Sequence, residues 1–150
     1  MLPSTVARVP EQTADHVNEQ IRRQMEERVA LIAAAGPEAI TRRLEELDRE
    51  WDTERTLETN AATLTVVGSA LALFVDRRFA LIPLVVSGFL LQHAVQGWCP
   101  PLPVFRRSGY RTQFEIEQER YALKAIRGDF GQVREGSLNR ADRALEAVAV

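Results

Sequence analysis

Cysteine, lysine and histidine are nearly missing from this chain of 150 residues: one cysteine (Cys99), one lysine (Lys124) and two histidines (His16 and His93). The lone cysteine excludes an internal disulfide. Two distant histidines without a cysteine pair leave no ligand set for a metal, and no cofactor is expected. Basic residues are almost all arginine, and the net charge is −2. With no basic stripe interleaved by aromatics, the chain offers no electrostatic case for nucleic acid. Met1-Leu2-Pro3-Ser4 lacks the basic and apolar regions of a signal peptide, so any entry into a membrane would depend on an internal segment.

Such a segment exists, and it is defined by missing charge. Between Ala61 and Trp98 only Asp76, Arg77 and Arg78 are charged, whereas 27% of the whole chain is Asp, Glu, Lys or Arg. Ala61–Val75 and Phe79–Trp98 are therefore two uncharged runs joined by a short polar turn. A spanning helix needs ~20 apolar residues, with ~17 as the lower limit. Phe79–Trp98 reaches that length; Ala61–Val75 does so when extended back to Leu57, with Glu58, Thr59 and Asn60 at headgroup level. A soluble core for two helices apolar all round would need more partner elements than the flanks supply. The expected fold is all-α: an integral membrane helical hairpin over residues 58–98 with amphipathic helical arms on both sides.

The arms carry helical periodicity. Val17, Ile21, Met25, Val29 and Ile32 recur at spacings of three and four, one narrow apolar face. Gly36-Pro37 ends that helix and starts another, with Ile40, Leu44, Leu47 and Trp51 as its stripe. Glu45 and Glu46 against Arg49, and Glu50 and Asp52 against Arg55, are expected helical ion pairs. No breaker stands between Ala39 and Val75, so one helix is expected to run from the arm into the hairpin. Residues 1–10 read as a flexible tail, 11–57 as the arm, and 99–111 as a proline-rich interfacial connector. Thr112 with Glu115 three residues on forms a capping-box pattern for a helix over 112–127. Its apolar residues are Phe114, Ile116, Tyr121, Leu123 and Ile126; residues 128–150 read as weakly structured.

Three groups are candidate sites. Cys99 stands at the exit of the second helix, where a thiol has redox or nucleophilic reach. His93 lies six residues away, 600° around a continuous helix, so the two are not expected to pair; Cys99 then reads either as a redox thiol or as a small residue filling the exit. Gln92, His93 and Gln96 form an intramembrane polar patch, either bonding a neighbouring helix or marking a proton or substrate path. Gly68 and Ala72 face Ser87 and Gly88 as small residues permitting close helix packing, within the hairpin or between subunits. Arginines near the helix ends number two in the turn against Arg49, Arg55, Arg106, Arg107 and Arg111 outside it. The excess places both termini in the cytoplasm.

Glu54-Arg55, the small-residue helix with Gly68, the charged turn, Ser87-Gly88 and the ending Gly97-Trp98-Cys99-Pro100 followed by Pro103-Val104-Phe105-Arg106-Arg107 form a familiar layout. It resembles the YgaP-like inner-membrane transmembrane domain family of bacteria, across about a third of the chain. The resemblance implies a small inner-membrane protein that associates through its helices. Some members are fused to a rhodanese sulfurtransferase domain. The 60 residues before the hairpin here are helical in pattern and hold no cysteine, so sulfur transfer does not carry over. The expected function is a non-enzymatic, membrane-anchored interaction or scaffold protein, homo-oligomeric, in contact with the bilayer and with a possible protein partner through its arms. The alternatives are a sulfur or redox accessory using Cys99 and a small oligomeric transport component.

Overall fold

The computed structural model describes residues 3–133 and 140–149. Among them the chain is helical, with no strand. The helices are α1 (Arg8–Glu11), α2 (Asp15–Ala35), α3 (Pro37–Leu47), α4 (Thr53–Phe74), α5 (Leu81–Gln96), α6 (Leu102–Arg107), α7 (Gln113–Arg127) and α8 (Arg140–Val148). Single 3-10 turns cover Arg77–Ala80 and Asp129–Gln132. The chain divides into two compact units, residues 1–20 with 51–113 and residues 21–50 with 114–150.

The first unit holds the hairpin of α4 and α5. Asp52 caps α4 by accepting a hydrogen bond from the Arg55 N–H at 2.6 Å, satisfying one of the free donors of the first turn. Thr53 is fully buried, and its N–H and hydroxyl both donate to the Arg111 carbonyl, at 2.8 and 3.0 Å. The helices meet at Gly68: a Cβ there would lie 2.8 Å from Ile82 Cβ and 2.9 Å from Pro83 Cδ. Pro83 sits in the first turn of α5, where a missing N–H is tolerated, and its ring uses the gap the glycine leaves. Ser87 and Gly88 are exposed, with nothing within 4 Å of the Gly88 Cβ position. The close contact thus pairs Gly68 with Ile82 and Pro83, not with Ser87 and Gly88; Ala72 is half-buried.

The last three residues of the segment read as a flexible tail belong to α1, and Val9 is 1% exposed in a small core with Leu57, Cys99 and Leu102. The proline-rich connector also folds. Pro101 precedes α6 and Pro103 lies in its first turn, where proline is tolerated. Buried Arg106 of α6 donates to the Asn18 Oδ1 and to the Tyr110 carbonyl, both at 3.0 Å. The Asn18 amide in turn donates to the Pro10 carbonyl at 2.9 Å.

In the second unit α3 and α7 share a core of Ile40, Leu44, Leu47, Ile116 and Leu123, with Val29 and Ile32 of α2 against it. The single helix expected from Ala39 to Val75 is broken, because α3 stops at Leu47 and Asp52 starts a new one. Trp51, expected on the apolar stripe, falls in the break and is 44% exposed, with the Arg55 guanidinium 4.4 Å from its ring centroid. The charge pairing also differs from the expected one. Glu46 and Glu50 meet Arg43 at 3.0 and 3.2 Å, and Arg43 Nε donates to the fully buried Glu119 at 2.7 Å. Phe114, Tyr121 and Ile126 are exposed, while the charged Glu119, Arg120 and Lys124 are buried. Arg120 pairs with Asp48, and Lys124 donates to the carbonyl of Ala149. Gly128, in the left-handed conformation, closes α7. Part of the segment read as weakly structured is ordered as α8; residues 134–139, with Gly136, lie outside the described residues.

Candidate functional site

Where α4 and α5 leave the turn behind and approach α1 and α6, a cavity of about 240 Å³ opens between them. Leu57 and Leu64 of α4 and Val86 and Phe89 of α5 supply apolar walls, Pro100 and Pro101 close one end, and His93 and Cys99 line it too. The local sequence explains why His93 and Cys99 share this space. Gly97 takes a left-handed conformation (φ +82°), its N–H bonded to the His93 carbonyl at 2.8 Å, and this stops α5 one residue after Gln96. The chain then turns back, so the rotation expected for a helix continuing to Cys99 does not apply. Only a glycine fits here, because a Cβ would overlap the Arg8 carbonyl.

His93 is 4% exposed, and neither ring nitrogen has a hydrogen-bond partner. A buried imidazole with both nitrogens unsatisfied is uncommon in folded interiors. Its companions from the expected polar patch separate from it: Gln92 is half-buried and Gln96 exposed. Arg8 reaches the backbone next to it. Arg8 donates to the Ala94 carbonyl at 3.0 Å and pairs with Glu54 at 3.7 Å. The Arg8 Nε and the Glu54 Oε2 are likewise buried without partners. Asn60, on the cavity wall, gives its amide N–H to the Thr56 carbonyl at 2.8 Å.

Arg8, Glu54 and Asn60 were not singled out from the sequence. Arg8 falls in a stretch with two prolines and no periodicity, and only Gly97 hinted that a backbone must pass close by.

Cys99 is 4% exposed and unbonded to any other cysteine. Burial pushes its thiol up from the ordinary value, with the nearby Leu102 N–H acting the other way. No hydrogen bond joins it to His93, so this geometry has no base to activate the thiol. Because the shift is upward, the thiolate fraction at neutral pH falls, and reactivity rises only as pH passes the ordinary thiol value. Maleimide labelling of the folded chain at pH 7 should therefore run at least about tenfold slower than labelling of the unfolded chain. Equal rates would mean an accessible, ionised thiol. Among the described residues no group of three His, Cys, Asp or Glu side chains is arranged to hold a metal.

Set beside protein-family models, curated proteins and solved structures, the chain matches none.

Proposed function

We propose that this chain is a small membrane-anchored interaction protein. In this reading α4 and α5 cross the bacterial inner membrane as a hairpin and both termini stay in the cytoplasm. One observation carries the reading. Thr53–Phe74 and Arg77–Gln96 are long and apolar enough to span a membrane, yet only 11% and 6% of their most apolar windows are buried. A soluble protein would hide such surface. Here Val66, Leu73, Phe74, Leu81, Leu84 and Leu91 are all at least two-thirds or nearly two-thirds exposed. Hydrocarbon is the solvent in which that face has no cost.

The family resemblance to YgaP-like hairpins, the inner-membrane location and a homo-oligomeric state belong to the same proposal. The arms refine it. The stripe of α3 is spent on α7 in their shared core, so a protein partner would meet outer faces on which charged residues are mixed with the exposed Phe114, Tyr121 and Ile126. The slow thiol expected of Cys99 weighs against the sulfur or redox alternative.

Alkaline carbonate should leave the full chain in the membrane pellet, and reporters at either terminus should read cytoplasmic. Leu84→Arg sharpens the test. An arginine within the span costs insertion on the order of 2.5–3.5 kcal/mol, so the variant should appear in the soluble or degraded fraction. If Leu84 faces water instead, the same change is harmless or improves solubility. Carbonate release of the parent chain, or a neutral Leu84→Arg, overturns the anchor.

A further inference from the structure

We infer that the cavity between α4, α5 and the Gly97 turn is a binding site for a small, neutral, lipid-phase molecule: a ring-sized apolar body carrying one hydroxyl or carbonyl oxygen. Three observations define that chemistry. The walls are apolar, from Leu57, Leu64, Val86 and Phe89, so the body of the ligand is hydrocarbon-like. His93, 96% buried, lines the cavity with both ring nitrogens unpartnered. A neutral imidazole offers one N–H and one bare nitrogen, aimed away from each other across the ring; a ligand oxygen accepts from the first or a hydroxyl donates to the second, one bond per ligand oxygen.

The charge nearby is already balanced. Arg8 and Glu54 pair with each other, leaving no net charge for an ionic headgroup, and an unpaired ion among apolar walls is disfavoured. Size sets the last limit. A cavity of about 240 Å³ exceeds the ~150 Å³ apolar void that holds benzene and falls short of the ~300 Å³ where drug-sized sites begin. It accepts one or two fused rings, or a short stretch of chain, and not a whole phospholipid.

The site rests on the membrane reading for the route of entry, from the lipid that would surround the exposed Leu64 and Phe89. The two are tested separately, because carbonate resistance does not depend on His93.

The histidine count makes the experiment clean. His16 and His93 are the only two, so a full-length chain labelled with 15N-histidine in detergent gives one reporter and one internal control. The probes are 2-naphthol and naphthalene, alike in ring and different by one hydroxyl. Titration with 2-naphthol should move the His93 ring-nitrogen resonances saturably and leave those of His16 fixed. Naphthalene should bind at least tenfold more weakly. His93→Leu should erase that preference, bringing the two probes to equal affinity. Ala61→Phe, which adds a ring at another residue lining the cavity, should abolish saturable binding of both, and its intact helical circular dichroism would show that the fold survived.

Three outcomes overturn the proposal: non-saturating shifts, equal affinity for both probes in the parent chain, or 2-naphthol binding that persists unchanged in folded Ala61→Phe. Any of these with the parent chain still carbonate-resistant removes the site and leaves the anchor standing.

Discussion

Glu119→Ala should lower the stability of the second unit by roughly 3–5 kcal/mol, the largest single-site loss expected in this protein. Glu119 is fully buried, and its carboxylate accepts from Arg43 Nε at 2.7 Å with Arg28 Nε 3.6 Å away. Removing it leaves Arg43 facing an apolar core without its nearest counter-charge, although Glu46 and Glu50 remain at the outer edge. Those partners offset little, because Glu46 is exposed and Glu50 only half-buried, and pairs near the surface contribute about 0–1 kcal/mol each. Glu119→Gln keeps the shape and one acceptor and should lose roughly half as much.

The decisive comparison is the double variant Arg43→Met with Glu119→Leu. Replacing a whole buried pair by apolar residues of similar volume is often neutral, so the pair of changes should recover most of what Glu119→Ala loses. Thermal or denaturant unfolding followed by circular dichroism reads all three. A single-variant loss under ~1 kcal/mol would mean that the carboxylate is solvated and that the apolar core of α3 and α7 holds the unit without it.

Gly97→Ala should detach α1 from the hairpin at a cost of several kcal/mol. Two effects add at this position. The φ of +82° is a left-handed conformation, worth roughly 1–2 kcal/mol against a residue with a Cβ. That Cβ would also overlap the Arg8 carbonyl, and overpacking against a backbone costs a further ~1–3 kcal/mol. Gly128 separates the two effects, since it is left-handed too (φ +93°, ψ 14°) but nothing lies within 4 Å of its Cβ position. Gly128→Ala should show only the backbone penalty.

Amide hydrogen exchange gives the local readout. In Gly97→Ala, residues 8–13 should lose protection and Cys99 should label faster, because Val9 leaves the core it shares with Cys99. If Gly97→Ala and Gly128→Ala cost the same, Arg8 does not press on Gly97.

How much of this was legible in the sequence follows from which signals are local. The hairpin was, because a missing charge over nearly forty residues survives any averaging. The Gly36-Pro37 break and the Gly128 stop were, since a helix end is written in two residues. The break after Leu47 was not seen, since Asp48-Arg49-Glu50-Trp51-Asp52 holds no glycine or proline. Its mark was Asp52 followed by Thr53 and Glu54, an N-cap with an acidic first turn, which also reads as ordinary helix surface. The buried charges of α7 were reachable by periodicity. Ile116, Glu119, Arg120 and Leu123 stand at i, i+3, i+4 and i+7, one face, whereas Phe114 and Tyr121 lie off it. Counting apolar residues rather than following the face placed the aromatics inside and the charges outside.

The candidate site was half legible. His93 and Cys99 were singled out, yet their separation was argued from a helix assumed to pass Gly97. Arg8 bonds the Ala94 carbonyl beside His93 from 86 residues away, and no local pattern records a contact over such a distance.

The division of the chain sets an order of events during synthesis. The second unit is built from residues 21–50 and 114–150, with the whole of 51–113 between them. Arg43 therefore waits for Glu119, 76 residues later, and α3 waits for the other half of its core. A ribosome adding residues in sequence must deliver both apolar helices before that unit can close. If those helices enter the bilayer as they emerge, insertion comes first and completion of the second unit reports that it has happened. A chain stalled before insertion would carry α2 and α3 with Ile40, Leu44 and Leu47 uncovered. Exposed apolar stripes of that kind are what proteolysis and chaperones recognise. Failed insertion would thus mark the chain for removal without a dedicated degradation signal.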